Sequence, residues 1–337
     1  MKNIAVFTVL VIIIGALTAN NSASCQDLER ESNYSFSFGT QYGFVHGLAL
    51  EVVYPVPGDT KGELLSELRW DMKGVFYYGV KLDFFRTDIM SSPGFFTSVS
   101  FKTGIPGDSG IMEDRDWLSV ENGELTNFSS HTNMTRDFYW LDLTLGATIP
   151  IRSYFYLKPF ISGSWMHFSF TGRDGYGIYA RGKTYNLNTN YAETFFPIDD
   201  KPEEKTFSGD AIHYKQDWLL IAAGFSIGTK ILSPFSFDLS FQISPFTYCA
   251  AKDEHLEREV IFMDFTGWGL FLEPAGVFSF SVERIDFSLE FAWRYIGKTK
   301  GETYYQKDNA GSYYRATNRA GAGLSLFNAN FLIRIRI

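Results

Sequence analysis

Two short stretches far apart in the chain each set acid/base side chains two positions apart. These are Asp114 and Asp116 within Met112-Glu113-Asp114-Arg115-Asp116-Trp117, and Asp253 and His255 within Asp253-Glu254-His255. Successive side chains of an extended strand point to opposite faces, so each pair shares one face of its own strand. If the fold brings those faces together across a groove, two carboxylates confront an imidazole that a third carboxylate orients. Such a set is equipment for activating a water. The same carboxylates and imidazole could instead hold Zn²⁺ or Ca²⁺. Taken alone, either stretch reads as a solvated loop. A thiol nucleophile finds no support, because Cys249 has no histidine near it in sequence other than His255.

The elements that must carry these groups are strands. Period-two alternation recurs along the chain. Phe235, Phe237, Leu239, Phe241 and Ile243 alternate with Ser236, Asp238, Ser240 and Gln242, and the stretch from Ile285 to Tyr295 repeats the pattern against Asp286, Ser288, Glu290, Ala292 and Arg294. In the last strand Phe327, Phe331, Ile333, Ile335 and Ile337 oppose Asn328, Asn330, Arg334 and Arg336. Parity changes after Pro245, where Phe246 and Tyr248 become the apolar set. A proline at a bulge swaps the faces, so Thr247, Cys249, Ala251, Asp253 and His255 are expected to share the polar face.

Lys2, an apolar run from Ile4 to Leu17 and small residues at Ser22-Ala23-Ser24 read as an export signal over residues 1–24. Ser-Ala-Ser-Cys25 is also a degenerate lipoprotein cleavage box, so acylation of Cys25 stays open. The remainder, 25–337, reads as one domain. Aromatic residues make up 18% of the chain and Phe alone numbers 33, an excess for a soluble core. With an export signal and strands charged on one face, this composition indicates an all-β fold, a closed antiparallel transmembrane β-barrel with lipid outside and a polar lumen. Closure is required because an open strand edge cannot be satisfied in hydrocarbon.

About ten strands are expected: 36–54, 66–86, 95–104, 136–149, 153–172, 211–231, 234–250, 266–282, 285–299 and 321–337. Long loops are expected at 55–65, 105–135, 173–210, 251–265 and 299–320, on the outside. A stretch such as Ser153 to Phe170 rises roughly 60 Å extended and ~40 Å once tilted, against an apolar band only ~25 Å tall. The barrel should therefore project above the bilayer, with both acid/base pairs at its upper rim. The net charge of −8 excludes nucleic acid as a partner and favours basic ones. A channel or an adhesin fits the same barrel without any chemistry.

From about Gly39 onward the chain resembles the omptins, a family of outer-membrane aspartyl-type endopeptidases. The segment at 112–117 is similar to the family's Asp-x-Asp-Trp, and Asp253-Glu254-His255 matches its Asp-Glu-His. Leu50-Glu51-Val52-Val53-Tyr54, Phe168-Ser-Phe-Thr-Gly-Arg173, Ala211-Ile-His-Tyr-Lys-Gln216 and Gly321-Ala-Gly-Leu324 add smaller matches in family order. The resemblance implies a ten-stranded, vase-shaped, monomeric barrel that cleaves polypeptides at its extracellular rim without cofactor or metal. By that resemblance Asp114 and Asp116 would form the carboxylate couple and Asp253 with His255 the dyad. His255 would act as general base on a water while Asp253 fixes its tautomer and stabilises the imidazolium, work that suits an imidazole near its ordinary ~6.5. Glu51 matches an acid of the pocket that selects a basic residue before the scissile bond. Ala251 replaces that pocket's accompanying aspartate, and Gly163, Trp165 and His167 stand where a lipopolysaccharide clasp is usual. Judged from its own position, Glu51 could equally be a lumen charge paired with Arg334 or Arg336. His131 and His213 could line the groove but read more simply as solvent-exposed histidines, and Lys215 reads as a rim lysine.

Overall fold

The computed structural model describes residues 34–56, 63–86, 93–118, 125–152, 155–179, 203–232, 234–307 and 311–337. The expected export signal at 1–24 and Cys25 lie outside the described residues. Thirteen strands form one antiparallel sheet: β1 Tyr34–Tyr54, β2 Ser66–Arg86, β3 Gly94–Gly104, β4 Gly107–Asp116, β5 Asn127–Arg152, β6 Phe155–Tyr179, β7 Glu203–Leu232, β8 Phe235–His255, β9 Val260–Gly267, β10 Phe271–Val282, β11 Ile285–Ile296, β12 Lys300–Lys307 and β13 Tyr314–Arg336. The pairing of β1 with β13 closes the sheet into a barrel. β3 and β4 form one interrupted stave between β2 and β5, and β9/β10 and β11/β12 are interrupted in the same way, so the wall has ten staves. Threonine hydroxyls bridge two of the breaks: Thr247 Oγ1 accepts from Gly269 N at 2.8 Å, and Thr299 Oγ1 accepts from Ala322 N at 2.9 Å.

The alternation read from the sequence is the inside and outside of this wall. Phe235, Leu239, Ile243, Leu289, Phe291, Trp293, Phe327, Phe331 and Ile335 are exposed on the outer surface, whereas Asn328 and Asn330 are buried in the lumen. The swap of faces at Pro245 is present. β8 carries one extra residue against β7 between Phe246 and Ile243, opposite Ile221 and Ala223. Ser244 Oγ bridges the gap, accepting from Phe246 N at 2.8 Å and donating to the Ile221 carbonyl. Thr247, Cys249, Ala251, Asp253 and His255 are consequently all buried inside.

Of the stretches expected to be loops at 105–135, 173–210, 251–265 and 299–320, the described residues are largely strand. β5 has 26 residues, β6 has 25 and β7 has 30; β4 and β12 lie wholly within the expected loops, and β9 lies within one up to Phe265. The reason is physical. Above the bilayer the outer face meets water, so the greasy half of the alternation fades while backbone pairing continues. The last exposed aromatic of β8 is Tyr248. Asp253 and His255 follow it by roughly 12–16 Å along the barrel axis for a strand tilted by ~45°.

At the level of the bilayer the lumen is filled with side chains. Arg294, buried on β11, is bonded to Glu273, lies 3.5 Å from Asp142 and donates to Ser164 Oγ at 2.8 Å, with its guanidinium 4.2 Å from the centre of the Trp140 ring. Replacing one partner of a buried ion pair strands the other charge, at a cost on the order of 3–5 kcal/mol. Arg294→Met is therefore expected to lower the unfolding free energy of the refolded barrel by that order, read as a shifted urea midpoint of tryptophan fluorescence in lipid vesicles. A wild-type midpoint would show that the network does not hold the lumen.

Candidate active site

The upper barrel brings the two acid/base pairs into one groove. β4 delivers the first: Asp114 lies opposite Leu68 on β2 and Ser129 on β5, and Asp116 opposite Ser66 and Asn127. Ser66 Oγ donates to Asp114 Oδ1 at 3.4 Å and Asn127 Nδ2 to Asp116 Oδ2 at 3.3 Å. β8 delivers the second, with Asp253 opposite Tyr214 and His255 opposite Ile212 on β7. Beneath them lies an aromatic floor in which Trp70 stacks on Tyr214 at 5.2 Å and on Phe170 at 5.7 Å. Gln216 ties two walls together, donating to Leu50 O and to Tyr214 Oη, both at 2.8 Å, and accepting from Trp218 Nε1 at 2.9 Å.

Asp253 Oδ2 lies 2.5 Å from His255 Nε2. On the other side of the ring Arg258 Nη2 lies 2.5 Å from Nδ1. A guanidinium only donates, so Nδ1 presents its lone pair and the imidazole proton sits on Nε2, directed at Asp253. Arg258 closes the one-turn 3₁₀ helix Leu256–Arg258 that follows β8, and its charge acts on Asp114 and Asp116 as well as on the histidine. The guanidinium thus touches the histidine and lies within electrostatic reach of the carboxylate couple. Loss of water and the neighbouring Asp116 hold the Asp114 carboxyl well above the usual carboxylate range, and burial raises Asp116, while Arg258 opposes both shifts. Two like charges so close cannot both ionise freely, so the couple keeps a proton to higher pH than an isolated carboxylate.

Two cavities meet at this group. One, of about 130 Å³, runs from Asp114, Asp116, His255 and Arg258 down to Glu51 and Asp264. The other, of about 380 Å³, shares those four residues and continues to His131, Glu203, Lys205 and Glu257. His131 is a correction to the sequence reading. It is buried, not exposed, with Nδ1 donating to Asp174 O at 2.6 Å and Nε2 3.1 Å from Ser129 Oγ. A bulge in β6 makes that contact. Asp174 has φ 52° and Gly175 φ 111°, and a Cβ at Gly175 would come 2.0 Å from Ser130 O, so only glycine fits there. Burial pulls the His131 imidazole below its ordinary value. Lys215 is exposed as expected, and His213 sits at the rim 3.3 Å from Asp210.

Glu51 is buried on β1 and is not the partner of Arg334 or Arg336, which lie 3.2 Å from Asp83 and 3.3 Å from Asp286. Arg258 and Asp264 were not picked out in the sequence because both fell in a stretch read as loop. Recognising β9 there would have exposed Asp264, since Asp264 pairs directly with the inward Ala251. Among the described residues no three His, Cys, Asp or Glu side chains are placed to hold a metal ion together.

A family model described as the Omptin family matches residues 32–333. The chain is 25% identical over 270 residues to the plasminogen activator of Yersinia pestis, an alignment that covers 79% of this chain and 76% of that protein. Its fold superposes on the crystal structure of the outer membrane protease OmpT from Escherichia coli with a TM-score of 0.74 at 18% identity, covering 93% of this chain and all of that one.

The buried acids carry a consequence for stability. Burial pushes the Asp264 carboxyl up to about 7 from its ordinary 3.8, although Thr303 Oγ1 donates to it at 2.8 Å. Between those two values the unfolded chain releases the proton and the folded chain retains it, so folding stability falls as pH rises from about 4 to about 7 and is then flat. Asp264→Asn removes this term. Its thermal midpoint in detergent is expected to exceed the wild-type value by a margin that widens across that window, and a margin independent of pH would contradict the assignment.

Proposed function

This chain belongs to the omptin family of outer-membrane proteases, and we propose that it cleaves polypeptides beside a basic residue, at the extracellular rim of its barrel, with a water activated by His255. The observation that carries this reading is the contact of Asp253 with His255 in the same groove as the Asp114–Asp116 couple. A water held between the couple and the ring would lose its proton to Nδ1 as its oxygen adds to the scissile carbonyl. Asp253, accepting from Nε2, would stabilise the imidazolium so formed. The proton then passes to the leaving amine as the tetrahedral intermediate collapses, and no covalent acyl-enzyme forms. The Arg258 guanidinium, which now donates to Nδ1, must turn aside for the water to reach that lone pair.

Export to the outer membrane supports residues 1–24 as a removed signal and 25–337 as the mature barrel. Placement of the groove beyond the outer apolar band supports cleavage outside the cell, with polypeptides as substrates and outer-membrane lipid around the wall. The proposed roles are Asp114 and Asp116 for positioning the water, His255 for base catalysis, Asp253 for orienting it and Glu51 for binding the basic residue.

Refolded protein is expected to cleave peptides containing Arg-Arg or Arg-Lys. Asp114→Ala, Asp116→Ala and His255→Ala should each lower kcat by at least ~10²-fold while preserving the heat-modifiable gel mobility of a folded barrel. Wild-type turnover in all three would overturn the mechanism. A metal-dependent hydrolase at this site would lose activity in EDTA and regain it on adding Zn²⁺ or Ca²⁺, whereas the proposed mechanism requires undiminished cleavage in the chelator.

A further inference from the structure

The floor of the smaller cavity holds more acid than the proposed chemistry uses. Glu51 is 3% and Asp264 4% exposed, and both line the cavity with Asp253. Among the described residues neither Glu51 nor Asp264 has a cationic partner within 4.0 Å, and the buried Glu51 Oε2 has no hydrogen-bond partner at all. Among the described residues that line the cavity, Glu51, Asp114, Asp116, Asp253 and Asp264 face a single guanidinium, that of Arg258. Asp253 is engaged by His255 and the Asp114–Asp116 couple is answered by Arg258, which leaves Glu51 and Asp264 uncompensated.

Register explains why Asp264 stands there. It is the direct cross-strand partner of Ala251, and both side chains point inward. Directly opposed side chains on neighbouring strands have Cβ atoms ~4.5–5.5 Å apart. An acid on β9 therefore reaches almost the volume that an acid at position 251 on β8 would fill, and the methyl of Ala251 leaves that volume open. Thr303 on β12 aims Asp264 by donating to its Oδ1 at 2.8 Å.

We propose that Asp264 is a specificity-determining residue that supplies, from β9, the second carboxylate of a pocket whose first is Glu51, and that this pair binds the ammonium or guanidinium of a substrate lysine or arginine. The inference rests on the protease reading above and names the group that sets its preference. An organic cation on a long stem fits better than a metal ion, because the described residues hold no cluster of metal-ligating groups. Val53, Leu65, Leu68 and Phe262 offer apolar wall for the methylene stem. The suppressed ionisation of both acids has the same origin: the Glu51 carboxyl is held well above its ordinary value by burial and by Asp253 and Asp264, and burial pushes Asp264 up to about 7. A bound cation is the counter-charge that lets them ionise, so occupation of the pocket releases protons.

The test is peptide-library profiling of purified barrel, comparing wild type, Asp264→Asn and the double variant Ala251→Asp/Asp264→Asn, with folding checked by heat-modifiable mobility. The quantity read is the ratio of kcat/KM for peptides with Lys or Arg before the scissile bond to that for peptides with a neutral residue there. Asp264→Asn is expected to lower the ratio roughly 10- to 100-fold, and the double variant to restore it, because the acid is merely handed across one rung of the ladder. A basic preference that survives Asp264→Asn overturns this inference and leaves the protease reading standing. A wild-type enzyme that cleaves without basic preference overturns both. Should the single variant fail to fold, the double variant decides: a ratio near wild type supports the proposal and a collapsed ratio refutes it.

Discussion

A barrel wall must hydrogen-bond to itself all the way round, and everything at the rim of this protein follows from that closed ladder. Once β1 pairs with β13, each stave's register is fixed by both neighbours, and a residue's height and facing are no longer local choices. The bulge at Ser244-Pro245 is the point at which the chain uses this constraint most directly. Below it the even positions of β8 face the lumen, and above it the odd positions do. A ladder without the extra residue would direct Asp253 and His255 outward, whatever their sequence spacing.

The same closure confines charge. Among the described residues five carboxylates and one guanidinium share the smaller cavity, and the stacked rings of Trp70 and Tyr214 are buried. Removing a carboxylate from water disfavours its charged form, and gathering several disfavours it further. Glu51, Asp114, Asp116 and Asp264 are all shifted upward on these grounds. A site optimised for folding alone would not collect them. Local conflict of this kind, held in place by a wall with independent reasons to be rigid, is what a binding and catalytic groove looks like energetically.

The sequence carried the membrane half of the molecule plainly and the aqueous half poorly, and solvent is the reason. Where lipid touches the outer face, as along Phe235 to Ile243, alternation is nearly complete and the strands could be read with their facing. Above the bilayer both faces contain polar residues, so Gly107–Asp116, residues 260–265 and Lys300–Lys307 looked like loop although they lie in paired strands. Asp114, Asp116, Asp253 and His255 were still legible, because two-residue spacing and the parity change at Pro245 do not depend on knowing the strand ends. Arg258 and Asp264 were not, since their place depends on β9 and on the 3₁₀ turn before it. His131 was misread for a related reason: its burial comes from a bulge at Asp174-Gly175 on another strand, which its own neighbours in sequence do not reveal.

The two cavities flanking His255 differ in how their charge is balanced, and this gives the groove a direction. On the larger side Lys205 is paired with Glu257 and passes over the Phe207 ring at 4.8 Å, so acid and base are both present. On the smaller side Glu51 and Asp264 are left without a cation. A long, flexible polypeptide crossing such a groove meets only one strongly asymmetric point. On the proposed reading, a basic side chain settling there would fix which way the chain runs and which carbonyl lies against His255, while the larger side, where Lys205 offsets Glu257, would be less selective. On the same reading, catalysis and choice of bond are separable along β8 and β9, because His255 lies opposite Val260 at the lip, four rungs from the Ala251–Asp264 pair. Changing the pocket acid would then retune the bond that is cut without moving the atoms proposed to cut it.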